Sequence, residues 1–181
     1  GKTIVAQISM YANQLAGYQS ALLAPTEILA RQHVKNMHKL GLEATLYVSS
    51  LAAKEKKEIL EKLENGKIFN VVGTHALFQE NVVFHKLGLV IADEQQRFGV
   101  KQRRSLLEKG KCVDFLMMSA TPIPRTYAHF LYGDMDISSI HTMPIGRKSV
   151  VISYYRTASI ATCLNDVLNF IKEGRQCYVV C

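Results

Sequence analysis

Apolar runs of strand length alternate with amphipathic stretches along most of this chain. Segments 20–24, 44–48, 68–72, 87–92 and 115–119 are the strand candidates. Between them, segments 3–16, 27–40, 52–64, 97–108 and 124–132 carry apolar residues at helical spacing. Leu87-Gly88-Leu89-Val90-Ile91-Ala92 is apolar without a break, the pattern of a strand covered on both faces. The alternation predicts an α/β fold, a parallel sheet flanked by helices. A change comes at Met143-Pro144-Ile145-Gly146. Beyond it a strand over 149–155, a helix over about 159–172 and a strand over 176–181 are expected. Residues 1–146 thus form one expected domain, and 147–181 the truncated start of a second.

Composition narrows the class. Hydrophobic residues make up 48% of 181, which suits a packed core and argues against wholesale disorder. No apolar run reaches membrane-spanning length, and the first residues lack the order of a secretory signal. Twenty-two Lys and Arg against 15 Asp and Glu give a net charge of +7. That balance favours an anionic partner, nucleic acid first among them. Cys112, Cys163, Cys177 and Cys181 include no CxxC pair, which argues against a zinc ribbon or disulfide framework. Free thiols in a reducing, cytoplasmic compartment are expected. The 8 Tyr and 7 Phe, with no Trp, form no base-stacking ladder.

Two short motifs carry candidate chemistry. Gly1-Lys2-Thr3 matches the tail of the phosphate-loop pattern GxxxxGK[ST], so the chain is expected to begin inside that loop. There backbone N–H groups cradle phosphates, the lysine reaches the β and γ oxygens, and the hydroxyl ligates magnesium. A helix must follow so that its N-terminus faces the anion, and segment 3–16 has that pattern. Taken alone, GKT reads as an ordinary Gly-Lys turn. The second motif strengthens it: the run 87–92 leads straight into Asp93-Glu94. A strand end that delivers two carboxylates suits a nucleotide site, with Asp93 holding magnesium and Glu94 polarising the attacking water as general base.

Longer stretches resemble a known family. Asp93-Glu94-Gln95-Gln96-Arg97-Phe98-Gly99 resembles the DExH-type motif of superfamily 2 helicases, and Ser119-Ala120-Thr121-Pro122-Ile123-Pro124-Arg125-Thr126 resembles their SAT motif in its long form. Ala24-Pro25-Thr26-Glu27-Ile28-Leu29-Ala30 resembles motif Ia, and Val72-Gly73-Thr74-His75-Ala76-Leu77 resembles motif Ib. With Phe78-Gln79-Glu80, these are most similar to the RecG family of branched-DNA helicases. The transcription–repair coupling factors, double-strand DNA translocases, rank second. They share Arg97-Phe98-Gly99-Val100 and the long SAT stretch. A third alternative is a module that binds nucleic acid without turnover.

The resemblance implies a RecA-like P-loop NTPase domain followed by the start of a second RecA-like domain. It implies ATP and Mg2+ as cofactors and DNA as partner, branched as forks or four-way junctions, in a monomer that does not span a membrane. Gly1, Lys2, Thr3 and Gln96 would contact ATP, and Thr3 and Asp93 the magnesium. Gln96 stands where the family usually has histidine; it keeps a donor and an acceptor but cannot become charged. Ser119, Ala120 and Thr121 would couple the nucleotide site to the DNA side. Pro25, Thr26, Gly73, Thr74 and His75 would hold DNA phosphates, which positions DNA without reading sequence. Arg97, Lys101, Arg103 and Arg104 form a basic run that is either a solvated face or a DNA contact. In this superfamily the second domain supplies further arginines across the bound ATP, so this stretch alone is expected to hydrolyse ATP poorly or not at all.

Overall fold

The computed structural model describes residues 1–93, 106–120, 136–142, 146, 150, 152–156 and 159–180. The chain divides into two compact units, Gly1–His141 and Thr142–Cys181.

The first unit is built on α1 (Lys2–Leu15), β1 (Gln19–Leu23), α2 (Glu27–Lys39), β2 (Thr45–Tyr47), α3 (Ala53–Glu64), β3 (Asn70–Gly73), a 3-10 turn (His75–Phe78), β4 (Leu87–Asp93) and β5 (Asp114–Met118). The five strands form one sheet in the order β2-β3-β1-β4-β5. Every pair is parallel. The expected helices 97–108 and 124–132 fall largely outside the described residues.

Strand alternation sends neighbouring side chains to opposite faces, and two cores result. Ala21 and Leu23 pack with Leu63 of α3 and with Ala76 and Leu77 of the 3-10 turn. Leu22 and Ala24 pack on the other face with Ala6 and Met10 of α1 and Ala30 and Met37 of α2. Helices on both faces explain why β1 and β3 are buried at every position.

Helix α2 shows how local chemistry sets an element. Thr26 caps it, its Oγ accepting the Leu29 N–H at 3.3 Å. Glu27 lies in the first turn and Lys39 in the last, each sign matched to the helix dipole. Past its end, Gly41 turns the chain at φ +74°, where a side chain would be strained.

Across the sheet, Tyr47, Gly73, Leu23, Ala92 and Met117 stand in one row. The segments following that row therefore leave the sheet along a common edge, the carboxyl ends of parallel strands. In open α/β sheets that edge is where ligands bind.

The opposite edge is tied by a residue that periodicity leaves unremarked. Gln19 is 1% exposed, yet every polar atom of its side chain is met. Its Nε2 donates to the carbonyls of Leu63 (2.8 Å) and Ile68 (2.7 Å), and its Oε1 accepts the Lys86 N–H (2.9 Å). One amide thus links β1 to the end of α3 and the approaches to β3 and β4.

The second unit contains α4 (Ile160–Lys172), as the pattern predicts. The two flanking strands do not appear: residues 152–156 and 175–180 carry no ladder pairing. A strand exists only through its neighbours, and no third strand lies beside either segment among the described residues. Ile152 and Tyr154 are 89% and 91% exposed, so their alternating apolar side has nothing to pack on. Within this unit the Tyr155 hydroxyl donates to Asp166 Oδ2 of α4.

Candidate functional site

Gly1-Lys2-Thr3 forms the first turn of α1, with Gly1 as N-cap and Lys2 the first helical residue. No side chain caps this helix, and no acidic residue lies in its first turn. The positive end of a fourteen-residue helix is thus left uncountered by acidic side chains of its own, which suits an anion. Lys2 and Thr3 are both half-buried.

Asp93 is the last residue of β4, opposite Met118 of β5. It follows Ile91 by two, so its side chain leaves on the face covered by α1 and α2. There it meets a residue absent from the motif reading. His33 Nε2 lies 2.9 Å from Asp93 Oδ2. A carboxylate only accepts, so the imidazole Nε2–H donates. The His33 side chain is 8% exposed and that of Asp93 18%, which shields the bond from competing water. A sequence signal exists: Ala30, His33 and Met37 share the buried stripe of α2, and a histidine on a core stripe needs a partner.

The loops after β1 and β3 lie side by side, because the Ala24 N–H donates to the Gly73 carbonyl at 2.8 Å. Pro25 and Thr26 follow on one loop, both half-buried; Thr74 and exposed His75 follow on the other, opening the 3-10 turn. The His75 ring packs obliquely on Phe78, with centroids 5.8 Å apart. Gly73 is required for close approach: a Cβ there would lie 2.2 Å from the Tyr47 carbonyl oxygen and 2.9 Å from the Leu77 side chain.

Glu27 braces the same edge. Its Oε1 accepts from the Ser50 hydroxyl at 2.5 Å and from Arg31 Nη2 at 2.7 Å. The Ser50 hydroxyl, and then Arg31, hold its carboxyl below the usual carboxylate range. Glu27 therefore joins the loop after β2 to the start of α2.

Half-buried Ser119 and exposed Ala120 follow β5 directly, one step past the row that ends in Asp93. Glu94, Gln96 and Thr121 lie outside the described residues, as do Arg97, Lys101, Arg103 and Arg104. The edge thus collects residues 24–26, 73–75, 93 and 119–120; α1 meets the start of β1 at Asn13 and packs back along it toward Ala24, so Gly1-Lys2-Thr3 opens it from the same end.

Thr3 and Asp93 offer a hydroxyl and a carboxylate, the oxygen donors that a hard dication takes beside phosphate oxygens and water. Among the described residues no group of three or more His, Cys, Asp or Glu could hold a metal unaided, and magnesium shared with phosphates does not require one. No described helix is long and apolar enough to cross a membrane.

Comparison with known proteins bears on this edge. A family model described as DEAD/DEAH box helicase matches residues 1–130. The chain is 49% identical over its full length to the ATP-dependent DNA helicase RecG of Staphylococcus aureus (strain NCTC 8325), of which it covers 27%. It is 50% identical to RecG of Staphylococcus epidermidis (strain RP62A), again over 100% of this chain and 27% of that protein. A solved RecG bound to a three-way DNA junction superposes with a TM-score of 0.80 at 43% identity, over 96% of this chain and 24% of that one. The Mycobacterium smegmatis helicase Lhr, bound to single-stranded DNA and AMP-PNP, shares the fold at 16% identity. Its TM-score is 0.52, over 62% of this chain and 16% of that one. The chain spans about a quarter of the length of the RecG relatives.

Proposed function

We propose, from the premise that this chain belongs to the DEAD/DEAH box helicase family, that it is the first motor lobe, with the start of the second, of an ATP-dependent helicase acting on branched DNA. The observation that carries this reading is the common sheet edge, where the phosphate-loop tail, Asp93 and the loops after β1, β3 and β5 all emerge. Identity of 49% to a RecG over the whole of this chain, and the match to a RecG bound to a three-way DNA junction, support the branched-DNA reading; residues 1–146 would be the first lobe and 147–181 the start of the second.

In this reading Lys2 places its charge against the β and γ phosphates at the N-terminus of α1. Thr3 and Asp93 hold Mg2+, which supplies charge neutralisation on the phosphate oxygens when bound. Glu94 takes the proton of the attacking water or orients it, and Gln96 hydrogen-bonds toward the γ-phosphate. Ser119, Ala120 and Thr121 follow the strand beside Asp93 and relay the state of the nucleotide. Pro25, Thr26, Gly73, Thr74 and His75 lie on the two tied loops and grip the DNA backbone without reading bases. The protein works as a monomer in the cytoplasm.

The test uses the full-length protein and a synthetic four-way junction. ATP hydrolysis is expected to rise with DNA, and Glu94→Gln to lower turnover by about a hundredfold or more while nucleotide still binds. Full turnover in Glu94→Gln would overturn the assignment. DNA-stimulated hydrolysis without junction unwinding would keep the motor but move it to the double-strand translocases.

A further inference from the structure

We infer that His33 is a positioning residue for the nucleotide site, fixing the Asp93 carboxylate in the orientation that magnesium requires; the inference rests on the assignment of Asp93 to magnesium made above. The observation is the 2.9 Å bond from His33 Nε2 to Asp93 Oδ2, made across the interface between α2 and β4. Both partners are held from behind. Asp93 ends a strand paired on both sides, with β1 and β5. His33 sits between Ala30 and Met37 on the buried stripe of α2, and both neighbours are fully buried.

The chemistry follows from the carboxylate having two oxygens. A bond to Oδ2 restricts rotation of the group and leaves Oδ1 as the oxygen to be offered. A carboxylate at a strand end, with two rotatable bonds, would otherwise sample several orientations and lose that freedom on binding a cation. Groups that hydrogen-bond to a metal-ligating carboxylate commonly set metal affinity by 10- to 100-fold. The imidazole is well suited because it is rigid and reaches from the helix axis to the sheet. A purely structural role is the competing explanation, since a buried histidine needs a partner in any case. The two differ in what the donor does: packing needs the ring, positioning needs the N–H.

The experiment measures binding of a fluorescent ADP analogue to the full-length protein while magnesium is titrated, so that no turnover enters. Asp93→Asn tests the underlying assignment and should raise the magnesium midpoint. An unchanged midpoint there would remove Asp93 from the magnesium site and this inference with it. With that shift in place, His33→Leu should raise the midpoint about tenfold. His33→Gln, whose Nε2–H reaches nearly as far as the imidazole's, should stay within about twofold of the natural protein. A His33→Leu midpoint equal to the natural one, or a His33→Gln midpoint shifted as far as His33→Leu, overturns the proposal while leaving Asp93 where it is. If circular dichroism finds His33→Leu unfolded, His33→Asn replaces it, being polar but too short to reach Asp93, with the same two outcomes.

Discussion

Gln19→Leu removes a single side chain from the edge of the sheet opposite the site, and the structure fixes what that should cost. Leucine fills most of the vacated space, so the cavity contribution is small and the loss is one of hydrogen bonding. Three backbone groups lose the Gln19 amide: the carbonyls of Leu63 and Ile68 and the N–H of Lys86. The Leu63 carbonyl keeps the Gly66 N–H at 3.2 Å, which leaves two groups to count in full. A buried polar group deprived of its partner costs about 1–3 kcal/mol. The extra apolar surface of leucine offsets part of this, so the expected loss is about 2–4 kcal/mol. Native-state hydrogen exchange in the full-length protein reads it locally. The Ser20 amide, bonded to the Phe69 carbonyl at 2.7 Å, should exchange roughly 30- to 1000-fold faster. Protection changed by less than about threefold would refute the reasoning, because water would then be satisfying these groups as well as Gln19 does.

Three further outcomes follow from the site edge. Gly73→Ala should destabilise the first unit by about 2–3 kcal/mol, since the Tyr47 carbonyl at 2.2 Å belongs to a paired strand and cannot yield; an unchanged melting temperature would contradict this. Thr26→Ala should lose about 1 kcal/mol through the missing cap on α2, and Thr26→Ser should recover most of it, both read by thermal melting. The Glu27 carboxyl is lowered by Ser50 and then Arg31, so what its tie contributes is present above the unfolded carboxylate value and lost as pH falls through the lower folded one. A carbon-13 NMR titration should therefore place its midpoint below the ordinary Glu value, and a midpoint at or above that value would count against the Ser50 contact.

The apolar runs located all five described strands; β1, β3 and β4, covered on both faces, leave no polar alternation to confuse them, while the edge strands β2 and β5 are only partly buried. Strand order was not legible. β1 lies between β3 and β4, neither adjacent to it in sequence, and nothing in a period-two pattern names a neighbour. The apolar pattern also placed strands at 149–155 and 176–181, where the described residues form no ladder, because apolar alternation records a readiness to pair and not a partner. Asp93 was legible as a carboxylate at a strand end, whereas its contact with His33 depends on α2 crossing that face of the sheet. Gln19 escaped notice for a similar reason: a glutamine before an apolar run looks like a solvated boundary until three chain segments converge on it.

The strand order also bears on how the chain is made. A ribosome delivers β1 first, but its two neighbours, β3 and β4, arrive only with residues 70–73 and 87–93. Until then the apolar segment Ser20-Ala21-Leu22-Leu23-Ala24 has no ladder to join, and α1 and α2 have no complete floor to rest on. Long-range pairing of this kind slows folding and prolongs the exposure of unpaired edges. The nascent chain should therefore be most dependent on chaperones while residues 24–87 are emerging from the exit tunnel, and that dependence should fall once β4 has emerged as well.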